Sequence, residues 1–181
     1  MRAHGIRAAL SALLLLGCGA DSEPGPTDAA AQAPAAKAPA KVGYDLRRLR
    51  PVDGEPLAQM FDRLRTQALA DGKQVAVLVS ANWCERCRRL ELELGGMHPE
   101  TDIAHVRILE LVEEDWEAVT RMNEFDALRL RWDSTKGTYP LLVLLDEQGN
   151  KVEEMKEAIE RLEAEGVDAT LPNWFRPLRR S

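Results

Sequence analysis

QVAVLVSANWCERCRRLELELGG, residues 74–96, is the stretch that decides how this chain folds. Gln74 to Ser80 is a continuous β-branched run, which suits a strand buried on both faces in a parallel or mixed sheet. The run leads into Cys84-x-x-Cys87, and from Cys84 to about Leu94 the pattern is that of a helix ended by Gly95-Gly96. Cys84 is therefore expected at a helix N-terminus. Unpaired backbone N–H groups and the helix dipole favour an anion there, and Arg86, Arg88 and Arg89 add positive charge. A thiolate is thus favoured at Cys84, the exposed end, over Cys87, which lies one turn in and nearer the core. The thiolate is the reactive species in disulfide exchange, and a second thiol three residues on can resolve a mixed disulfide without a large motion.

Working outward, helices and strands alternate. Leu57, Met60, Phe61, Leu64, Ala68 and Leu69 share one face of a helix over Pro56 to Ala70, with Pro56 suited to the first turn and Gly72 to the stop. His105 to Val112 reads as a second strand. Asp115 to about Phe125 reads as a helix carrying Trp116, Val119 and Met122, and Leu128 to Trp132 alternates like a small added strand. Leu141 to Asp146 is a third buried strand that turns at Glu147 to Asn150. Beyond it, Lys151 to Met155 fits a hairpin return strand followed by a helix to Glu165, although Val152, Met155, Ile159 and Leu162 also fit one helix. Leu171, Trp174, Phe175 and Leu178, set among prolines, predict an irregular cap over Thr170 to Ser181.

The strand Val75 to Val79, the motif Trp83-Cys84-Glu85-Arg86-Cys87 and Thr138-Tyr139-Pro140 ahead of Leu141 to Leu145 together resemble the thioredoxin superfamily. SANWCERCRRLE is similar to the thioredoxin-like domains of bacterial extracytoplasmic disulfide reductases. The resemblance covers most of Pro56 to Leu162. It implies an α/β, thioredoxin-like fold, a single domain with a central mixed β-sheet flanked by helices. It also implies that Cys84 is the attacking thiol, Cys87 the resolving thiol, and Pro140 a proline whose preceding peptide bond is cis and faces the cysteines. Trp83, Tyr139 and Pro140 would then meet the substrate. Three departures from thioredoxin itself stand out. Glu85 and Arg86 replace Gly and Pro between the cysteines, Leu78 occupies the strand position of a buried aspartate, and the segment ahead of Pro140 is longer. That segment is expected either to shape the substrate surface or to be a surface elaboration.

At the other end, Arg2, His4 and Arg7 precede an apolar core from Ala8 to Leu16, an arrangement of signal-peptide length that is too short to span a bilayer. Leu15-Leu16-Gly17-Cys18 resembles the lipobox of bacterial lipoproteins, which implies lipid on Cys18 and cleavage before it; the alternative is a plain secretory signal containing a cysteine. Residues 1–17 are accordingly expected to be a leader, 18–41 an anchor and a disordered Ala/Pro-rich linker, and 42–181 the folded domain. Both leader readings place the protein outside the cytoplasm. A bacterial, periplasmic, lipid-anchored location is expected.

The formal net charge of -6 disfavours a nucleic-acid partner. A zinc site would need two more ligands beside the cysteines, and only His98 and His105 remain after the leader, at spacings unlike the common fingers. Haem attachment is excluded because Arg88, not His, follows Cys87. A static structural disulfide stays open as a rival, although a loop this short constrains little chain. His98 reads as a loop residue, His105 as a strand-start residue, and Glu110 as the nearest candidate for a proton-handling carboxylate. The expected protein is a monomeric, membrane-tethered thiol-disulfide oxidoreductase acting on protein or peptide thiols and disulfides. It would need a redox partner but no diffusible cofactor and no metal. The alternative is a non-catalytic binding or assembly module with a structural CxxC.

Overall fold

Val75, Val77 and Val79 alternate with Ala76 and Leu78 along β3 (Gln74–Ser80), and every one of the five is at most 1 % exposed. Such a strand must lie in the middle of a sheet covered on both faces. The computed structural model describes residues 40–132 and 137–176, and there β3 is the central strand of five. The order is β2 (Asp45–Arg48), β5 (Val106–Val112), β3, β6 (Leu141–Leu145), β7 (Lys151–Glu154). β2 and β3 run parallel to β5, whereas β6 is antiparallel to β3 and β7 antiparallel to β6. A two-residue ladder joins β1 (Lys41–Val42) to β4 (His98–Pro99), so pairing begins at Lys41. The expected leader, Cys18, the linker up to residue 39, and residues 133–136 and 177–181 lie outside the described residues.

The two-residue period of the strands splits the core in two. Val75, Val77, Val79, Leu109, Leu111 and Val143 face α1 (Leu57–Ala70), α4 (Glu113–Glu117) and α5 (Met122–Arg129), through Phe61, Trp116 and Phe125. Ala76, Leu78, Ile108 and Leu142 share the other face with Leu90 and Leu94 of α2 (Glu85–Leu94), Ile103 of α3 (Glu100–Ile103), Leu162 of α6 (Met155–Ala164) and Phe175 of α7 (Leu171–Phe175). Full burial of a side chain such as Phe61 contributes about 2–3 kcal/mol before entropy is counted. Among the described residues no helix is long and apolar enough to cross a membrane.

Several expectations need correction. Leu128 to Trp132 is not an added strand: it is the last turn of α5 and the turn after it. Leu128 and Trp132 alternate with their neighbours but are also four apart, so a helical turn buries both. The Trp132 ring meets Phe61 edge-on at 5.2 Å and its indole N–H donates to the Gly149 carbonyl at 3.0 Å. These two residues are core, which removes the surface-elaboration reading for them. The single helix expected over Asp115 to Phe125 is two, α4 and α5, parted at Thr120, whose φ of 57° is left-handed. Val119, assigned to the apolar face, is 43 % exposed. The tail forms the short helix α7, with Thr170 at its N-cap, and is not irregular over those residues. His98 sits in β4 rather than in a loop, edge-on to Tyr44. The hairpin after β6 and the helix following it form as a strand and then a helix.

β2 has no counterpart in the sequence reading. Its sequence, DLRR, lacks an apolar run, and Leu46 is 37 % exposed. Ion pairs dock it instead: Asp45 accepts hydrogen bonds from Lys73, just before β3, and from Arg107 on β5.

Candidate active site

The buried strand β3 delivers the chain to Ala81, and a tight turn follows in which the Cys84 N–H donates to the Ala81 carbonyl at 3.0 Å. The N–H of Asn82 donates to both carboxylate oxygens of Glu114, at 2.9 and 3.1 Å, so the start of α4 grips this loop from the neighbouring strand end. Cys84 is the N-cap of α2. Its Sγ accepts the N–H of Cys87 at 3.1 Å, a side-chain cap of the kind that satisfies an orphan helix donor. Cys84 and Cys87 form a disulfide with their Cα atoms 5.2 Å apart. Cys84 is 5 % exposed and Cys87 1 %. The expected order of accessibility is present, but Cys84 is itself buried rather than open to solvent, because it belongs with Tyr139 to the core face that packs on α1, α4 and α5.

The arginines beside the motif do not act alike. Arg88 donates to the Asn82 carbonyl at 3.2 Å and pairs with Glu85, and Arg89 reaches Glu85 at 3.6 Å. Glu85, in the first turn of the helix, therefore offsets two of the three charges. Arg86 has no ion-pair or hydrogen-bond partner among the described residues.

Opposite α2, the Tyr139-Pro140 peptide bond is cis, and Pro140 leads into β6. The Trp83 and Tyr139 rings meet edge to face at 5.2 Å, with Trp83 65 % exposed and Tyr139 buried. Beneath them the guanidinium of Arg129, at the end of α5, lies over the Tyr139 ring and donates to the Thr138 carbonyl at 3.1 Å. Burial pushes the Tyr139 phenol above its ordinary value; Arg129 opposes this, and the Glu113 carboxylate adds to it.

Glu110, on β5, pairs in register with Leu78 and is 6 % exposed. It lies on the sheet face that α2 covers, one strand over from the position where the resemblance would put a buried aspartate. Burial raises its carboxyl above the ordinary value, Arg48 opposes that, and Glu91 and Asp115 reinforce it. Its carboxylate makes no hydrogen bond with either cysteine.

Trp83, Cys84, Cys87, Tyr139 and Pro140, named from the sequence, thus converge on one end of the sheet; Cys18 lies outside the described residues. Sequence reasoning missed Arg129 and Glu114. Arg129 follows Phe125 by four residues and so shares its core-facing side, which is the one signal that marks it; nothing marks Glu114, whose partner is a backbone N–H.

No family model and no curated protein matches the chain. Among solved structures it is similar to a thioredoxin h from poplar, at 19 % identity over 67 % of this chain and 92 % of that one, with a TM-score of 0.42. It is also similar to a disulphide isomerase from Xylella fastidiosa, at 16 % identity over 70 % and 94 %, with a TM-score of 0.46. A thioredoxin-like protein from Edwardsiella tarda shares 26 % identity over 51 % and 79 %, with a TM-score of 0.34. With parallel β2, β5 and β3, antiparallel β6 and β7, a CxxC pair opening α2 and a cis proline ahead of β6, the chain has a thioredoxin-like fold.

Proposed function

We propose that this protein is a thiol-disulfide oxidoreductase that exchanges disulfides with protein or peptide substrates outside the cytoplasm, held at a bacterial membrane by lipid on Cys18. The observation that carries the reading is the Cys84–Cys87 disulfide at the N-cap of a helix, with the cis Tyr139-Pro140 loop packed on Trp83 beside it. A helix start stabilises the thiolate that exchange requires.

In the reducing direction the Cys84 thiolate attacks one sulfur of the substrate disulfide. A mixed disulfide forms, and the departing substrate sulfur takes up a proton. Cys87 loses its proton and attacks Cys84 Sγ; the second substrate thiol leaves, and two electrons have passed from the pair to the substrate. A dithiol partner must then return two electrons to Cys84–Cys87. The cysteines carry the electrons themselves, so no diffusible cofactor is called for, and one copy of the chain suffices.

The test is alkylation of the single variants across pH, with insulin reduction and diagonal gels. Cys84→Ser abolishes exchange, whereas Cys87→Ser accumulates mixed disulfides. Equal slow alkylation of both thiols with nothing trapped would instead favour a binding module whose disulfide is structural. Fatty-acid labelling that survives Cys18→Ser would remove the lipid anchor.

A further inference from the structure

Arg86, Arg89 and Lys156 line a single open cavity of about 460 Å³ that extends from Tyr139-Pro140 along α2 to the start of α6. Arg86 stands between the two cysteines in sequence, so the cavity passes next to the disulfide, although neither cysteine lines it. Leu90, Met155 and Ile159 supply its apolar lining. Two of the three cations, Arg86 and Lys156, have no ion-pair partner among the described residues. The third, Arg89, reaches Glu85 only at 3.6 Å, with both side chains more than half exposed. The acids of the cavity differ. Glu154 is committed to the capping box of α6 and to Lys151, at 3.8 Å, and Glu93 belongs to the last turn of α2, at the end away from the cysteines. On a chain of net charge -6, a cavity with an apolar lining in which Arg86 and Lys156 are uncommitted cations and the one uncommitted acid, Glu93, lies at the end of α2 away from the cysteines has a defined complement.

Resting on the oxidoreductase reading above, we propose that this groove selects peptide segments carrying Asp or Glu next to the reactive cysteine. The apolar lining takes the aliphatic part of the segment, while Arg86, Arg89 and Lys156 hold its carboxylates in a surface that is electrostatically complementary to them.

The experiment uses the reduced full-length protein and three synthetic peptides that share one disulfide loop and differ only in flanking Glu, Gln or Lys pairs. Bis(2-hydroxyethyl) disulfide serves as a neutral control. The Glu peptide is expected to be reduced roughly fivefold faster than the Gln peptide at low salt, with the Lys peptide slowest and the spread shrinking at about 0.5 M salt. Lys156→Glu and Arg89→Glu should each lower the Glu-to-Lys rate ratio by roughly threefold, with near-UV circular dichroism reporting that each variant is folded. Equal rates for the three peptides, or a preference untouched by both reversals, overturn the inference while reduction of the control leaves the oxidoreductase reading standing. Failure to reduce the control and the peptides alike overturns both.

Discussion

The guanidinium carbon of Arg129 lies 4.5 Å from the centroid of the Tyr139 ring, and the same side chain donates to the carbonyl of Thr138. A side chain only 3 % exposed at the end of α5 thereby fixes both the ring and the backbone of the loop that carries Pro140. The contact is planar and forked, so lysine cannot reproduce it. Arg129 is a positioning residue. Arg129→Lys and Arg129→Gln should each slow exchange with protein substrates by roughly tenfold. Stability should fall by about 3 kcal/mol, since partners of a buried cation are left behind. Stopped-flow fluorescence and urea unfolding check the two parts separately; an Arg129→Lys protein with unaltered kinetics removes the positioning role.

Asp45 ties the edge strand to the sheet. Burial alone would raise its carboxyl, but hydrogen bonds from Lys73 and Arg107 hold it at about 2 against an ordinary 3.8. Because the folded value lies below the unfolded one, the stabilisation is complete above about pH 4 and is lost as pH falls toward 2. Asp45→Asn should cost about 2 kcal/mol at pH 7, and the gap from wild type should close in acid. Urea midpoints at pH 7, 4 and 2.5 give the comparison.

Glu110 has the opposite sign. Its folded value is raised by burial, so its contribution is full below the unfolded value of 4.5 and is lost as pH rises through the folded one. Glu110→Gln should therefore unfold at a higher urea concentration than wild type at pH 7, with the advantage shrinking toward pH 4.5. A variant less stable than wild type at pH 7 would show that Arg48 outweighs the burial.

Trp132 anchors the turn after α5 through its indole N–H bond to Gly149 and its contact with Phe61. Trp132→Phe keeps most of the apolar surface and should lose about 1–2 kcal/mol, whereas Trp132→Ala should lose about 3–5 kcal/mol. Thermal or urea unfolding of the pair distinguishes a core residue from a surface one, which would tolerate both changes.

What the sequence disclosed and what it hid divide along a physical line. β3, β5 and β6 were legible because each is a run of buried, mostly apolar residues long enough to exclude other assignments, and α1 and α2 because their apolar residues keep helical spacing between clear stops. β2 was hidden because Asp45, Lys73 and Arg107, far apart in sequence, hold it in place of apolar side chains. Five residues, Leu128 to Trp132, are too few to separate a two-residue period from one helical turn. At the site, the cysteines announce themselves by spacing, and Pro140 through the resemblance alone. The residues that hold them, Arg129 and Glu114, act through a ring face, a carbonyl and a backbone N–H, none of which leaves a pattern in the chain.

Strand β3 is flanked by β5 on one side and β6 on the other, yet β6 begins 61 residues after β3 ends. During synthesis from the N-terminus, QVAVLVS and its parallel neighbours exist before anything can cover that second edge. An apolar, β-branched strand with an open edge is a template for pairing between molecules. Any chain that stops short of Leu141, through a premature stop codon or proteolytic clipping, should thus form insoluble assemblies rather than a smaller soluble domain. The hairpin of β6 and β7 completes the sheet, and its late arrival makes the partly synthesised chain a client for chaperones.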